Sequence, residues 1–125
     1  MAFVKFTDVG KSFVPKISIN NRGLISFNQG ACKRFGLEKF KAAVAYYDAE
    51  SRRIGLEFVT EENLEGAIKL RHRSIGADIA AKSFLAFFNL LPKEIMVFPV
   101  DMNERNNWIE LELSKGVERK VRSRS

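Results

Sequence analysis

One order of predicted elements occurs twice in this sequence, and that recurrence restricts the fold more than any other feature. Residues 16–59 predict strand, strand, short helix, strand and strand, from alternating apolar residues separated by turn residues. Residues 67–113 predict the same order, after a polar linker at 60–66. The sequence therefore predicts an α+β, β-rich fold, in which a duplicated strand-strand-helix-strand-strand unit forms one pseudo-twofold barrel or sheet.

The two units keep a nearly constant spacing along the chain. Gly36 and Asn89, each between a phenylalanine and a leucine, are 53 residues apart (89 − 36). Glycine and asparagine are the residues best suited to the left-handed conformation that ends many helices, so both positions are predicted helix ends. The segments 54–57 and 109–112 are similar at a spacing of 55 (109 − 54), which predicts a longer turn in the last hairpin.

The charge of the chain is concentrated at one end. The net charge is +6, and residues 115–125 carry five basic residues against one glutamate, or +4. Residues 1–114 therefore carry only +2 (6 − 4). We predict an N-terminal arm at 1–15, a single domain at 16–114 and a basic tail at 115–125. A basic tail attracts phosphate backbones or anionic lipid.

Composition and chain length exclude several classes of protein. Hydrophobic residues make up 46% of the 125 residues, which is enough apolar material for a core. The apolar runs are too short to cross a bilayer, and the N-terminus shows no secretion signal. Cys32 is the single cysteine, so an intramolecular disulfide is impossible. We expect a cytoplasmic protein without membrane association.

No set of residues typical of catalysis or metal binding occurs in the sequence. His72 lies between Arg71 and Arg73, whose charges make it a poor metal ligand, and Cys32 has no second cysteine. The acidic residues near 48 and 101 lie in predicted turns, where turn chemistry explains them. We therefore predict a protein that is not an enzyme and that uses no cofactor and no metal ion.

The repeat unit resembles the AbrB-type swapped-hairpin DNA-binding domain. The resemblance rests on Gly23-Leu24-Ile25-Ser26-Phe27, Ala31, Phe35-Gly36-Leu37 and the strands at 42–48 and 54–58. In that family two units intertwine into one barrel, so the resemblance implies that a tandem copy forms a pseudo-dimer within one chain. This sequence departs from the family pattern at two positions. Asn28 stands where the family usually has proline, and Cys32 stands where it usually has arginine.

A second resemblance accounts for the same order of elements. The strands and helices are similar to a rotated form of the Whirly-type single-stranded-DNA-binding fold, which also contains an internal repeat of strands and a helix. Hydrophobic periodicity does not separate the two families, so both remain open on the sequence.

Basic residues and aromatic residues supply the candidate site. Arg22 and the pair Arg71 and Arg73 are expected in matching hairpin turns, where they could contact phosphates. Tyr46, Tyr47 and Trp108 are candidates for base stacking. The complete set of predicted nucleic-acid-binding residues is Arg22, Lys33, Arg34, Arg52, Arg53, Arg71, Arg73, Tyr46, Tyr47 and Trp108. Solvated turns and core packing are the alternative explanations of these two groups.

The sequence thus predicts a nucleic-acid-binding protein with DNA as its partner. It would be a DNA-binding transcriptional regulator of the AbrB-like kind or a single-stranded-DNA-binding protein of the Whirly-like kind, with a homodimer among its expected forms. The alternative is a protein–protein interaction or structural module without nucleic acid. Phe35 and Phe88 are expected to anchor the two helices in one core.

Overall fold

The computed structural model describes residues 14–100 and 107–118, in which ten strands form two antiparallel sheets. The strands are β1 (Lys16–Ile19), β2 (Leu24–Asn28), β3 (Ala42–Asp48), β4 (Arg53–Val59), β5 (Ala67–Lys69), β6 (Arg71–Arg73), β7 (Gly76–Ala80), β8 (Met96–Pro99), β9 (Trp108–Glu112) and β10 (Val117–Glu118). Helix α1 spans Gln29–Phe35 and helix α2 spans Lys82–Phe87. The predicted β-rich α+β class is confirmed.

The two sheets differ in size. The first sheet has the strand order β10-β8-β1-β2-β7-β6, and the second has the order β5-β3-β4-β9. Every strand pair recorded in the two sheets is antiparallel. Because side chains alternate between the faces of a strand, each sheet has an apolar inner face and a more polar outer face.

The core lies between the inner faces of the two sheets. Ile25 pairs with Ile79 in the first sheet, and Leu56 pairs with Ile109 in the second, and all four side chains are buried. Full burial of an aliphatic side chain of this size contributes roughly 1.5–3 kcal/mol each. Phe27 of the first sheet meets Phe58 of the second edge to face, with ring centroids 5.5 Å apart. An aromatic contact therefore joins the sheets across the core.

Turn and cap residues set the first hairpin and the first helix. The Asn20 side-chain oxygen accepts hydrogen bonds from the backbone N–H of Arg22 and Leu24, and Gly23 has a φ of 85°. The Asn28 side-chain oxygen accepts from the backbone N–H of Ala31 at 2.8 Å, which caps α1. Gly36 ends that helix in the left-handed conformation, with a φ of 60°.

Helix α2 is shorter than the predicted helix end at Asn89 implies. It ends at Phe87, and Asn89 has the predicted left-handed conformation with a φ of 59°. Leu85 is its buried residue, whereas Phe87 is 80% exposed and Phe88 is 39% exposed. The prediction that Phe88 anchors the core was wrong, because Phe88 is partly exposed and Leu85 is the side chain that is fully buried.

The segment from 67 to 73 runs through both sheets. β5 pairs with β3 in the second sheet and β6 pairs with β7 in the first. Between them the Leu70 backbone N–H donates to the Lys41 carbonyl at 2.9 Å. The prediction of a hairpin turn at Arg71 and Arg73 was wrong, because Arg71–Arg73 form a strand.

The fold continues past the predicted domain boundary at residue 114. Val117 and Glu118 form β10 on the outer edge of β8, and Gly116 lies against the ring of Phe98. The predicted arm lies almost wholly outside the described residues, as do the end of the tail from 119 onward and most of the last hairpin turn. No helix of the described residues is long and apolar enough to cross a membrane.

Candidate nucleic-acid interface

Basic side chains gather where β5 passes into β6 and where the chain leaves α1. We call this surface the basic edge. It comprises Lys39, Lys41, Lys69, Arg71, His72 and Arg73, all of them exposed. The strand pairing explains the gathering, because Lys69 pairs with Ala42 next to Lys41, and the Lys41 carbonyl accepts from the residue between β5 and β6.

Phe40 connects the two chain segments of the basic edge. The His72 ring nitrogen Nε2 lies 2.9 Å from the Phe40 carbonyl oxygen, so this nitrogen carries the proton and donates. The Lys39 ammonium lies 5.4 Å from the centre of the Phe40 ring, within the range of a cation–π contact. A buried phenylalanine therefore holds a lysine and a histidine of the basic edge close to each other.

Arg71 and Arg73 share one carboxylate on the outer face of the first sheet. The Arg71 Nε donates to Asp78 Oδ1 at 2.7 Å, and the Arg73 Nε donates to Asp78 Oδ2 at 2.5 Å. The Asp78 side chain is only 4% exposed. The predicted placement of these arginines in a hairpin turn was wrong, since both lie in β6 and point to the same face.

The other predicted basic residues lie in three separate places. Lys33 and Arg34 are exposed on the last turn of α1, where the helix dipole favours cations. Arg22 is exposed in the predicted turn between β1 and β2, whose Gly23 lies against the start of α2. Arg52 is exposed in the turn between β3 and β4, with a φ of 55°.

Arg53 belongs to a different surface, on the outer face of the second sheet. Its guanidinium pairs with Glu110 at 3.3 Å and Glu112 at 2.9 Å. Strand register places Asp48 and Glu57 on the same face. We call Asp48, Arg53, Glu57, Glu110 and Glu112 the acidic face, since it holds four carboxylates against one guanidinium.

Two of the three predicted stacking residues lie on the acidic face. Tyr46 and Trp108 have ring centroids 5.4 Å apart, and the Trp108 ring lies over Gly55. The Tyr46 hydroxyl donates to Glu57 at 2.8 Å, and the Trp108 indole N–H donates to Glu110 at 2.7 Å. The hydrogen bond to Glu57 raises the pKa of the Tyr46 phenol, so the phenol stays neutral.

Tyr47, the third of these residues, points to the opposite side of β3, as expected of neighbours on a strand. Its ring is 5.0 Å from the ring of Phe88, the residue that follows α2. Tyr47 is packed against the core and therefore does not share a surface with Tyr46.

Sequence reasoning missed Asp78 and did not assign Lys39, Lys41 or Lys69. The signal for Asp78 was its place as a lone acid between Ala77 and Ile79, in a strand whose inner face is apolar. Pairing with β6 could not be read from the sequence, because β6 was predicted as a turn. His72 lies between the two arginines that were predicted in a turn, and it is an exposed strand residue.

Residues 14–100 and 107–118 contain no group of three or more histidine, cysteine, aspartate or glutamate side chains placed to hold a metal ion. Cys32 is half-buried at α1, and its burial raises the pKa of the thiol. Comparison with protein-family models, curated proteins and solved structures finds no match to this chain.

Proposed function

We propose that this protein is a non-enzymatic nucleic-acid-binding protein and that the basic edge is its contact surface. The observation that carries the proposal is the convergence of five lysine and arginine side chains and His72 from two distant chain segments. Asp78 and the exposed Glu38 offset two of these charges, so the surface keeps a net charge of about +3. Lysine and arginine clusters of this kind bind phosphates by releasing counterions, whatever the base sequence.

The distribution of charge supports phosphate contacts over base stacking. Tyr46 and Trp108 lie among four carboxylates, which repel a phosphate backbone, and their polar atoms already bind Glu57 and Glu110. Lys69 lies on β5, at the opposite edge of the second sheet from β9, which carries two of those carboxylates. A nucleic acid would therefore approach the β5–β6 side of the molecule.

The proposed fold relationship is a duplicated unit with pseudo-twofold symmetry. Support comes from the strand pairing between the two units, which joins strands at corresponding positions. β2 of the first unit pairs with β7 of the second, and β4 of the first pairs with β9 of the second. The pairing of β1 with β8 has its counterpart in the pairing of β5 with β3.

The pairing of strands between the two units supports the AbrB-like relationship. β1 of the first unit pairs with β8 of the second, and β5 of the second pairs with β3 of the first. Strands are thus exchanged between the units, as the resemblance to the intertwined AbrB-type barrel implies. We propose a double-stranded-DNA-binding regulator in the cytoplasm, with single-stranded DNA as the competing ligand.

Binding of the full chain to fluorescent double-stranded and single-stranded DNA, over a series of salt concentrations, tests the proposal. The variant K39Q/K41Q should bind duplex at least about tenfold more weakly and with a shallower salt dependence. The matched control K82Q/K93Q removes two exposed lysines that lie outside the basic edge and the basic tail, and it should bind nearly as wild type. Equal losses in the two variants, or affinity independent of salt, would contradict the proposal.

A second candidate function, a protein-interaction module acting through self-association, is favoured by the exposed ring of Phe87. Phe84, Phe87 and Phe88 form edge-on contacts, so α2 presents a continuous aromatic surface. Exposed aromatic patches often mark contact sites. Sedimentation of wild type and F87S over a range of concentrations tests this candidate. A concentration-dependent dimer lost in F87S would support it, and a monomer throughout would remove it.

A further inference from the structure

Arg71 and Arg73 differ from the other residues of the basic edge because both bind one buried carboxylate, that of Asp78. Asp78 is a buried charged residue on the outer face of the first sheet, at the centre of β7. Each of its oxygens accepts from the Nε of one arginine. A carboxylate removed from water is costly unless it is paired and hydrogen-bonded, so the two contacts satisfy it.

The contacts fix the arginines without covering them. The Arg71 and Arg73 side chains remain 45% and 57% exposed although their Nε atoms are bound. A guanidinium carries five N–H donors in one rigid plane, and the Nε contact uses one of them. Alternate residues of a strand lie about 6.6 Å apart on one face, so the two planes are held side by side. Their outer donors are thereby pre-oriented toward solvent.

The paired arginines lie beside a polar groove on the same face of the sheet. Asp78 pairs across the strands with Ser26, and Ser26 pairs with Ser18. A groove of about 310 Å³ lies over β1 and β2, lined by Lys16, Ser18, Ser26 and Asn28 among others. One row of residues therefore leads from the groove to Arg71, which pairs with Asp78 in the neighbouring strand.

We propose that Arg71 and Arg73 form a phosphate-binding pair and that Asp78 is a positioning residue that pre-orients both guanidinium groups. The ligand is the phosphodiester backbone of a nucleic acid, which would lie along the groove and meet the arginines at its end. Planar guanidinium groups bind phosphate oxygens with two donors each, which lysine cannot do. The proposal rests on the proposed nucleic-acid-binding function and names the contact that function uses.

This inference predicts an effect opposite to that of charge alone. Asp78 carries a negative charge, so simple electrostatics predicts that its removal strengthens the attraction for a phosphate backbone. Positioning predicts the reverse, because the arginines lose their fixed orientation and must be ordered when the ligand binds. Loss of the negative charge and loss of positioning therefore change the DNA affinity of an Asp78 variant in opposite directions.

The experiment measures duplex DNA affinity of the full chain and three variants at low and moderate salt. R71K/R73K keeps both charges but loses the planar donors, and its affinity should fall about tenfold. D78N removes one negative charge and should still bind DNA more weakly than the wild type. E38Q also removes one negative charge, at an exposed residue on the margin of the basic edge, and should bind DNA as well as the wild type or better. Thermal unfolding checks that each variant is folded.

The outcomes separate this inference from the proposed function. Wild-type affinity that falls with salt, combined with R71K/R73K within twofold of wild type and D78N as tight as E38Q, overturns the arginine pair and leaves nucleic-acid binding in place. Failure of the wild type to bind any nucleic acid overturns both. If D78N does not fold, the DNA affinity of R71K/R73K relative to the wild type, which has the same charge, decides whether the arginine pair is retained or rejected.

Discussion

At the scale of single residues, the hydrophobic pattern identified the inner faces of the strands but misplaced one helix side chain. Phe84 and Phe88 do contact each other at the helical spacing of four, with ring centroids 5.4 Å apart. That contact does not bury Phe88, which is 39% exposed, and Leu85 is the side chain of α2 that is fully buried. In a helix of six residues, the spacing of two aromatic residues does not determine which face is buried.

Replacement of Leu85 and of Phe87 by alanine should therefore have very different effects. Leu85→Ala should lower the free energy of unfolding by roughly 2–5 kcal/mol, because it leaves a cavity beneath α2. Phe87→Ala removes a larger side chain from an exposed position and should change stability by less than about 0.5 kcal/mol. Urea denaturation of the two variants measures both values. Similar losses of unfolding free energy in the two variants would mean that the aromatic side chains of α2, and not Leu85, attach the helix to the core.

Cys32 offers a second measurement at this scale. Burial raises the pKa of its thiol, so at a given pH less of it is the reactive thiolate than in the unfolded chain. The sulfur should therefore react with an aromatic disulfide reagent at pH 7.5 more slowly in the native protein than in urea. The difference should shrink as the pH rises through the raised pKa. Equal rates at pH 7.5 would contradict the burial of this side chain.

At the scale of elements, local chemistry determined what the sequence could predict. The side chain of Asn28 caps α1, accepts from the Lys16 backbone N–H at 3.0 Å and donates to the Val14 carbonyl at 2.8 Å. The end of α1 at Gly36 was predicted from its residue type alone. The strand Arg71–Arg73 was not, because its polar sequence is typical of a turn and it becomes a strand through its pairing with β7.

Substitution of Asn28 tests how much this cap contributes. Asn28→Ala removes an acceptor used by two backbone N–H groups and should lower the free energy of unfolding by about 1–2 kcal/mol. Asn28→Asp retains the acceptor and places a negative charge at the helix start, so most of the stability should be kept. Chemical denaturation distinguishes the variants. A loss as large in Asn28→Asp as in Asn28→Ala would show that the amide donor to Val14 is the important contact.

At the scale of the whole molecule, sequence reasoning found the sheet-forming segments but not how the surface charges are distributed. Arg53 was grouped with the other basic residues, and it lies on the acidic face with Glu110 and Glu112. Lys69 and Lys41 are 28 residues apart (69 − 41) and meet because β5 pairs with β3. Long-range pairing of this kind is not encoded in local periodicity, so the basic edge could be recognised only in the fold.

Hydrogen exchange of the full chain with and without duplex DNA tests the central claim most directly. It should be measured at low salt and again at a salt concentration that dissociates the complex. We predict protection by DNA in residues 37–43 and 67–73, lost at high salt, with little change in the segments that contain Tyr46 and Trp108. Protection centred on those two aromatic residues, or no protection of the basic edge under conditions where DNA is bound, would contradict the account.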